Sequence, residues 1–283
     1  MPFLSKSGGN AAAGMLTAYM DESFNQRTMC VGGWLCHEQL WRRLENQWSK
    51  RVALENRRSA RMGLPPISRY HASDLANLQG EYREKNGWTI ERQIQFAKKL
   101  IDIIGRFKPV AITCGLWFKD LISASPEWDR DHPQDKWEWA AYRLCMMTCL
   151  KLVLDTIHRS PQLAGEKVAV VYEHGKFNSA GQSAFDSTKD SPKFPNRDDL
   201  LTMAPMDWQN CALLQPADLI AYEGFKLVDR RPESVREFRK SLQRIIGTRL
   251  TVRAHLIRRE GLVQMMENHI RANAEPSERR QLE

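Results

Sequence analysis

Short apolar runs rich in β-branched residues predict five strands along the chain. The first two runs, residues 16–21 and 28–35, are joined by a polar segment, so we expect a β-hairpin there. The adjacent glycines Gly32 and Gly33 in the second run indicate a bulge or the close approach of another backbone. The remaining predicted strands are residues 110–117, 167–172 and 200–206.

Longer segments carry apolar residues at three- and four-residue steps, the spacing of amphipathic helices. They predict helices at residues 38–61, 88–105 and 136–158. Another helix is expected near Gln215, with Pro216 in the first helical position and Asp218 in the first turn. A last amphipathic helix is predicted from Val235, Phe238, Leu242, Ile245 and Ile246.

The order of these elements favours an α/β fold in which one sheet is flanked by helices. We expect a single domain over residues 15–270 with helical insertions, a disordered tail over residues 1–14 and a polar tail over residues 271–283. Residues 174–199 are rich in Gly, Ser, Asp, Asn and Pro, which predicts a long mobile loop.

The composition is that of an ordinary globular protein, with 42% hydrophobic and 27% charged residues and a mean hydropathy of -0.53. No apolar run approaches the roughly 18 to 20 residues that cross a bilayer, and residues 1–14 lack the apolar core of a secretory signal. A cytoplasmic location is therefore expected. The six cysteines form no C-x-x-C pair, which favours reduced, buried thiols over a zinc site.

The net charge of +8 is concentrated in one segment, because residues 226–259 hold eleven basic and three acidic residues. A second basic cluster lies at residues 42–61. Side chains that neutralise phosphates release counterions, so a nucleic acid, DNA or RNA, is the expected partner. A solvated helix face is the alternative interpretation. No membrane partner is expected, and a homo-oligomer or a partner protein stays open. The residues predicted to contact phosphates are Arg230, Arg231, Arg236, Arg239, Lys240 and Arg244.

Several common active sites lack their motifs in this sequence. It contains no P-loop, no G-x-G-x-x-G run and no G-x-S-x-G run. His37 and Glu38 begin like a zinc-protease helix, but Trp41 stands where the second histidine would be. Nucleotide-triphosphate motors, α/β-hydrolases and zinc proteases of this type are therefore excluded.

Acidic residues near strand ends and helix starts are the strongest candidates for chemistry. Asp21 and Glu22 follow the first predicted strand, Glu173 ends the fourth, Asp207 follows the fifth and Asp218 opens a helix. Carboxylates that converge from separate elements are the ligands that Mg²⁺ prefers. Two such ions can activate a water and stabilise the leaving oxygen of a phosphodiester. The alternative is that each acid only ends a strand or favours a helix dipole.

Two runs of the sequence resemble the domain of unknown function 3800 family. They are A-Y-M-D-E-S at residues 18–23 and L-Q-P-A-D-L-I-A-Y at residues 214–222. That family is placed among ribonuclease H-like folds as a predicted nuclease. The resemblance covers residues 16–228, and its other matching positions are Gly32, Gly33, Trp41, Trp48, Tyr70 and His71.

The resemblance implies a ribonuclease H-like mixed sheet and Mg²⁺ or Mn²⁺ as the cofactor. Asp21 matches the first-strand aspartate of such enzymes, Glu173 the fourth-strand acid and Asp218 the acid of the closing helix, so these three would bind the metal. Two positions depart from the family's pattern: Phe24 stands in place of glycine, and Glu173 in place of the more usual aspartate. A prokaryotic or mobile-element setting is the expected one.

Residues beside the acids are candidates for supporting roles. Glu22 is a candidate second-shell group or direct metal ligand, and Gln215 a candidate for orienting Asp218. His71 is a candidate general acid or phosphate ligand. The alternative for this segment is that Ser73 or Asp74 caps a helix while His71 packs. Lower-ranked candidates are His174, for reaching the scissile group, and three tryptophans for base stacking, for which core packing is favoured: Trp88, Trp128 and Trp208.

The sequence as a whole thus predicts a divalent-metal-dependent nuclease that hydrolyses phosphodiester bonds by a two-metal mechanism. Two other functions remain open at this point. One is a non-catalytic nucleic-acid-binding or complex-forming module on the same fold. The other is a metal-dependent hydrolase of small phosphoesters.

Overall fold

One mixed six-stranded sheet organises the residues that the computed structural model describes, which are 15–124, 134–230 and 239–265. The strands are β1 (Leu16–Phe24), β2 (Thr28–His37), β3 (Val110–Trp117), β4 (Val168–Glu173), β5 (Leu200–Met206) and β6 (Val252–Ile257). Their order across the sheet is β5-β4-β1-β2-β3-β6. Strands β1, β2 and β3 form an antiparallel meander, whereas β4 and β5 continue from β1 in parallel and β6 pairs in parallel with β3.

Helices cover both faces of this sheet. They are α1 (Glu38–Arg61), α2 (Ala72–Asn77), α3 (Ile90–Phe107), α4 (Phe118–Ala124), α5 (Gln134–Arg159), α6 (Asn178–Asp190), α7 (Leu214–Val228) and α8 (Lys240–Gly247). Residues 259–265 are also helical, and short 3-10 helices cover Gly80–Tyr82, Glu84–Asn86 and Arg197–Asp199. The prediction of an α/β sheet flanked by helices is confirmed.

The alternation of side chains along β1 divides the core into two layers. Ala18 and Met20 pack among the apolar residues of α5 and α6. On the other face, the Tyr19 ring lies 5.0 Å from the Trp41 ring of α1 in an edge-on contact. Because both faces are covered, β1 is buried along most of its length, and any acid on it is desolvated.

Helix α7 lies directly against the sheet at Gly32. A Cβ atom built on Gly32 would lie 2.9 Å from the Cα atom of Ala221 in α7, closer than side chains normally approach a backbone. The predicted close approach at this glycine pair is therefore confirmed. The Trp34 indole nitrogen of β2 donates to the Pro216 carbonyl at 2.7 Å, which fixes the start of α7 on the same strand.

Most of the predicted strands and the three long predicted helices agree well with the observed elements. The α1 prediction matches at both ends, the hairpin and the three later strands are present, and α3 and α5 differ by two residues or fewer at each end. All six cysteines are buried and unpaired, as expected. None of the helices in the described ranges is both long enough and apolar enough to span a bilayer.

The predicted loop at residues 174–199 is wrong, because it contains the helix α6. Small residues at helical spacing, including Ala180 and Ala184, are buried against the sheet. The serines of α6 face α5, where Arg143 donates to Ser183 at 2.9 Å and to Ser187 at 2.7 Å. The small and polar residues that are typical of loops therefore allow α6 to pack closely against α5, with hydrogen bonds between the two helices.

Three further predictions need correction at the end of the chain. Leu214 is the first residue of α7, so Pro216 is third and Asp218 fifth, beyond the first turn. The last predicted amphipathic helix is observed as the short α8, in which Ile246 is exposed; Val235 and Phe238 lie outside the described residues. Strand β6 was not predicted, because this exposed edge strand carries charges among its apolar residues. The tails at residues 1–14 and 271–283 also lie outside the described residues.

Part of the basic cluster at residues 42–61 serves the fold. Glu55 of α1 is buried and accepts hydrogen bonds from Arg51 at 2.6 Å and from Arg92 of α3 at 2.8 Å. The Arg92 guanidinium also lies 4.3 Å from the centre of the Trp88 ring. These contacts join α1 to α3, and they account for the burial of Trp88 as a core residue.

We expect Gly32→Ala to lower the free energy of unfolding by about 1 to 3 kcal/mol, the usual cost of overpacking a tight interior. The new methyl group would meet the backbone of α7, which cannot move aside as a flexible side chain can. Urea unfolding would measure this change. Gly247→Ala is the matched control, because nothing lies within 4 Å of a Cβ built there. An equal unfolding midpoint for the two variants would contradict the close contact.

Candidate functional site

Asp21 and Glu173 lie side by side on two neighbouring strands in the interior of the sheet, near the carboxyl ends of these strands. Met20 of β1 pairs with Tyr172 of the parallel strand β4, so the next residue on each strand is one of the two acids. Asp21 is buried, with 4% of its surface exposed. Glu173 is the last residue of β4, and 24% of its side chain is exposed. The adjacent register therefore brings two acids from distant parts of the sequence together.

Asp218 approaches these acids from α7. Its Oδ2 atom accepts a hydrogen bond from the backbone N–H of Ala72 at 2.7 Å. One turn earlier, the Oε1 atom of Gln215 accepts from the Trp48 indole at 3.0 Å and from the backbone N–H of Tyr70 at 2.9 Å. Gln215 and Asp218 thus fix the segment before α2 against the start of α7.

Asp21, Glu173 and Asp218 are close enough for their negative charges to affect one another's pKa values. Burial raises the pKa of Asp21 well above its usual value, and the charges of Asp218, Glu22 and Glu173 raise it further. Burial also raises the pKa of Asp218 to about 6, against the opposing effects of His71, the Ala72 N–H and Arg69. Four of the five acids predicted from the sequence, all except Asp207, are therefore brought together, and they lack enough compensating positive charge.

Glu22 extends the cluster on the other side of β1. Burial and the negative charge of Glu173 raise its pKa to about 8, although its backbone N–H offsets part of this effect. That N–H also donates to Asp21 Oδ1 at 2.8 Å. Tyr142 of α5 lies near Glu22, and its buried hydroxyl has no hydrogen-bond partner among the described residues.

Two basic side chains border the cluster. The Arg69 guanidinium donates to Oε1 of Glu173 at 3.0 Å and lies 4.4 Å from the centre of the Trp208 ring. His71 Nδ1 lies 3.1 Å from Oδ2 of Asp74. Neither Ser73 nor Asp74 caps α2, because His71 occupies the N-cap position and Asp218 accepts from the first N–H. The capping alternative for this segment is therefore wrong.

Phe24 packs at the end of β1 and lies outside the acid cluster. Its ring contacts that of Phe177 edge-on, with the ring centres 5.2 Å apart. Phe177 is buried and in turn stacks on Tyr142 at 4.7 Å. The aromatic side chain at this position thus joins β1 to the start of α6.

The carboxylates match the chemistry of a hard divalent cation. Asp21, Asp218 and Glu173 each accept a hydrogen bond through one oxygen atom, and in each the second oxygen has no hydrogen-bond donor among the described residues. In the same part of the chain, no three His, Cys, Asp or Glu side chains are already arranged as a metal site. The donor set therefore fits Mg²⁺ or Mn²⁺, and Glu173 could offer its second oxygen while Oε1 accepts from Arg69.

The remaining candidates lie apart from the cluster. His174 pairs with Asp207 through Nδ1 and Oδ1 at 3.2 Å, and both side chains are more than half exposed. Trp208 is half-buried beneath Arg69. Trp128 lies outside the described residues.

The predicted phosphate contacts are partly used within the fold. Arg239 pairs with the buried Glu223 of α7 at 3.3 Å, and Arg244 donates to Asp102 of α3 at 2.7 Å. Lys240 is exposed at the start of α8, and Arg230 follows the end of α7. The other two members of this set lie outside the described residues: Arg231 and Arg236.

A cavity of about 450 Å³ lies between α2, α3, α7 and α8. Tyr70 and Ala72 form part of its wall, and four basic side chains line it, whereas Asp21, Glu173 and Asp218 do not. The cavity therefore shares the segment before α2 with the acid cluster. Its basic side chains are Lys98, Arg239, Lys240 and Arg244.

Sequence reasoning missed Arg69, the basic residue in direct contact with a clustered acid. The sequence feature that could have identified Arg69 as a candidate is its position two residues before His71 and next to Tyr70. Comparison of the sequence with models of known protein families and with curated proteins finds no match.

In metal-free buffer we expect the protein to become less stable as the pH rises from about 4 to about 8. Glu22 titrates near 4.5 when unfolded and near 8 when folded, so the folded protein holds more protons in this range. A difference of one in pKa corresponds to about 1.4 kcal/mol, reduced here by solvent because Glu22 is partly exposed. Urea unfolding at pH 5 and pH 8 measures the effect.

Glu22→Gln is expected to flatten this pH dependence, because glutamine imitates the protonated acid. It should make the protein more stable than wild type at pH 8. Asp198→Asn, which removes an exposed acid, should leave the wild-type dependence unchanged. A Glu22→Gln variant with the wild-type pH dependence would contradict the raised pKa.

Proposed function

We propose that the protein is a nuclease that depends on a divalent metal ion and hydrolyses phosphodiester bonds of nucleic acid. The observation that carries this proposal is the convergence of Asp21, Glu173 and Asp218 from three separate elements. Their charges repel one another in a desolvated site, and such a site favours the binding of a compact cation.

The arrangement of the sheet supports a ribonuclease H-like fold. The resemblance implied acids on the first strand, at the end of the fourth strand and on the closing helix of the sheet. Those elements are β1, β4 and α7, and β1 and β4 are adjacent and parallel.

Each residue of the cluster has a defined part in the proposed reaction. Asp21, Glu173 and Asp218 would hold Mg²⁺ or Mn²⁺, which supplies an activated water and stabilises the charge on the leaving oxygen. The Ala72 N–H orients Asp218, and Gln215 holds the segment to which Ala72 belongs. Metal-bound carboxylates are usually oriented by such hydrogen bonds.

The basic residues around α7 and α8 supply the proposed contacts with the nucleic-acid backbone. Lys240 is exposed, and it shares the cavity rim with Lys98. His71 lies at the edge of the acids, where an imidazole can donate a proton or bind a phosphate.

We expect Asp21→Asn and Asp218→Asn each to reduce metal-dependent cleavage by at least about 100-fold, since even groups that only orient metal ligands are worth 10- to 100-fold. The assay uses labelled single-stranded, duplex, hybrid and branched substrates with Mg²⁺ or Mn²⁺. Asp198→Asn is the control, because this acid is exposed and lies two residues before Leu200, which pairs with Val168 at the opposite end of β4 from Glu173. Cleavage that persists in folded Asp21→Asn protein would refute the assignment.

The second candidate is a non-catalytic nucleic-acid-binding module. Its specific support is the ion pair between Arg69 and Glu173, which occupies one of the three acids. This function predicts binding that weakens steeply with salt, by about 10³-fold or more between 50 and 200 mM if six or more phosphates are contacted. Fluorescence anisotropy with a labelled oligonucleotide would measure it. Turnover of the same oligonucleotide with Mn²⁺ would decide against this module.

A further inference from the structure

Arg69 lies between an acid of the cluster and an aromatic ring. Its guanidinium donates to Glu173 Oε1 at 3.0 Å and stands 4.4 Å from the centre of the Trp208 ring. About a quarter of each side chain in the ion pair is exposed to solvent. The guanidinium therefore neutralises Glu173 at the edge of the cluster, where solvent and a substrate can reach it.

The backbone around Arg69 is held by three neighbours. The Tyr82 hydroxyl donates to the Arg69 carbonyl at 2.6 Å. The following N–H groups, those of Tyr70 and Ala72, donate to Gln215 and Asp218. The Arg69 guanidinium can therefore change position through its side-chain torsions while these backbone hydrogen bonds are kept.

A divalent cation bound through the second oxygen of Glu173 would lie close to the Arg69 guanidinium on the first. Both are positively charged, so a cation bound by Glu173 would repel the guanidinium beside it. The Trp208 ring would still attract the displaced guanidinium through a cation–π contact and keep it beside the acids. A planar guanidinium in that position is well suited to bidentate hydrogen bonds with a phosphate.

We propose that Arg69 positions the phosphate of the substrate strand. Its ion pair with Glu173 keeps the guanidinium from this role until a divalent cation binds Glu173 and displaces the guanidinium. This inference rests on the proposed function, because it takes the acids as the cation site. It adds a coupling between two ligands: the cation frees Arg69 for the phosphate, and a phosphate bound to Arg69 frees Glu173 for the cation.

Two measurements test this coupling in the full-length protein. The first is calorimetric titration with Mn²⁺. Arg69→Ala should bind Mn²⁺ at least about 5-fold more tightly than wild type, the lower end of typical coupling between sites. Arg69→Lys keeps the charge and should stay close to wild type. Arg83→Ala, which removes one exposed arginine from the same stretch, is the matched control and should also stay unchanged.

The second measurement is the affinity for a phosphorothioate oligonucleotide with and without Mn²⁺. Mn²⁺ should strengthen binding to wild type and to Arg83→Ala, and this gain should be clearly smaller in Arg69→Ala, where only the direct attraction between Mn²⁺ and the phosphate remains. Thermal unfolding confirms that each variant is folded. The readout is binding alone, so it does not depend on turnover.

The outcomes separate this inference from the proposed function. If wild type binds Mn²⁺ but Arg69→Ala binds it equally or more weakly, the role of Arg69 is refuted and the nuclease proposal stands. If neither protein binds Mn²⁺ at millimolar concentration, both proposals fail. Binding of Mn²⁺ by Arg69→Ala alone would support the inference and show that Arg69 blocks the site in wild type.

Discussion

The close contact between α7 and the sheet at Gly32 is the constraint on which the site depends. Gly32 pairs with Asp21 across the β1–β2 ladder, so the helix approaches the sheet beside the first acid. Any side chain at this position would push α7 outward together with Asp218. The tryptophan contacts to Pro216 and Gln215 then hold the start of the helix in place.

This packing has an electrostatic cost, because it gathers acids where water is scarce. The raised pKa values of Asp21, Glu22 and Asp218 are the direct sign of that cost. Stability alone would favour apolar residues or paired charges there, as in the Glu55–Arg92 pair between α1 and α3. Repulsive groups retained at one end of a sheet are more typical of functional sites than of structural ones.

Elements whose formation depends on a clear pattern of buried apolar residues could be predicted from the sequence. The apolar runs located the first five strands, the helical spacing of Leu40, Trp41, Leu44 and Trp48 located α1, and the Gly-Leu-Pro-Pro run at residues 63–66 located its end. The acids were found because their residue type and their places at element ends are visible in the sequence. Their actual proximity was not, since it depends on the register of β1 with β4 and on the depth of α7.

The errors have physical causes of the same kind. Helix α6 was missed because its buried residues are small, and its serines, which sequence composition assigns to loops, bind Arg143 instead. Strand β6 was missed because pairing along β3, and not burial, makes it a strand. Arg69 was missed because its importance lies in a contact with Glu173, which is 104 residues away in the chain.

The most direct test of the central claim is to locate Mn²⁺ by anomalous diffraction in crystals of the protein. The claim is that Asp21 of β1, Glu173 at the end of β4 and Asp218 near the start of α7 form a divalent cation site. We predict an anomalous peak between the carboxylates of Asp21 and Asp218, and no such peak in crystals of Asp21→Asn. A peak elsewhere on the protein, or none at saturating Mn²⁺, would contradict the claim.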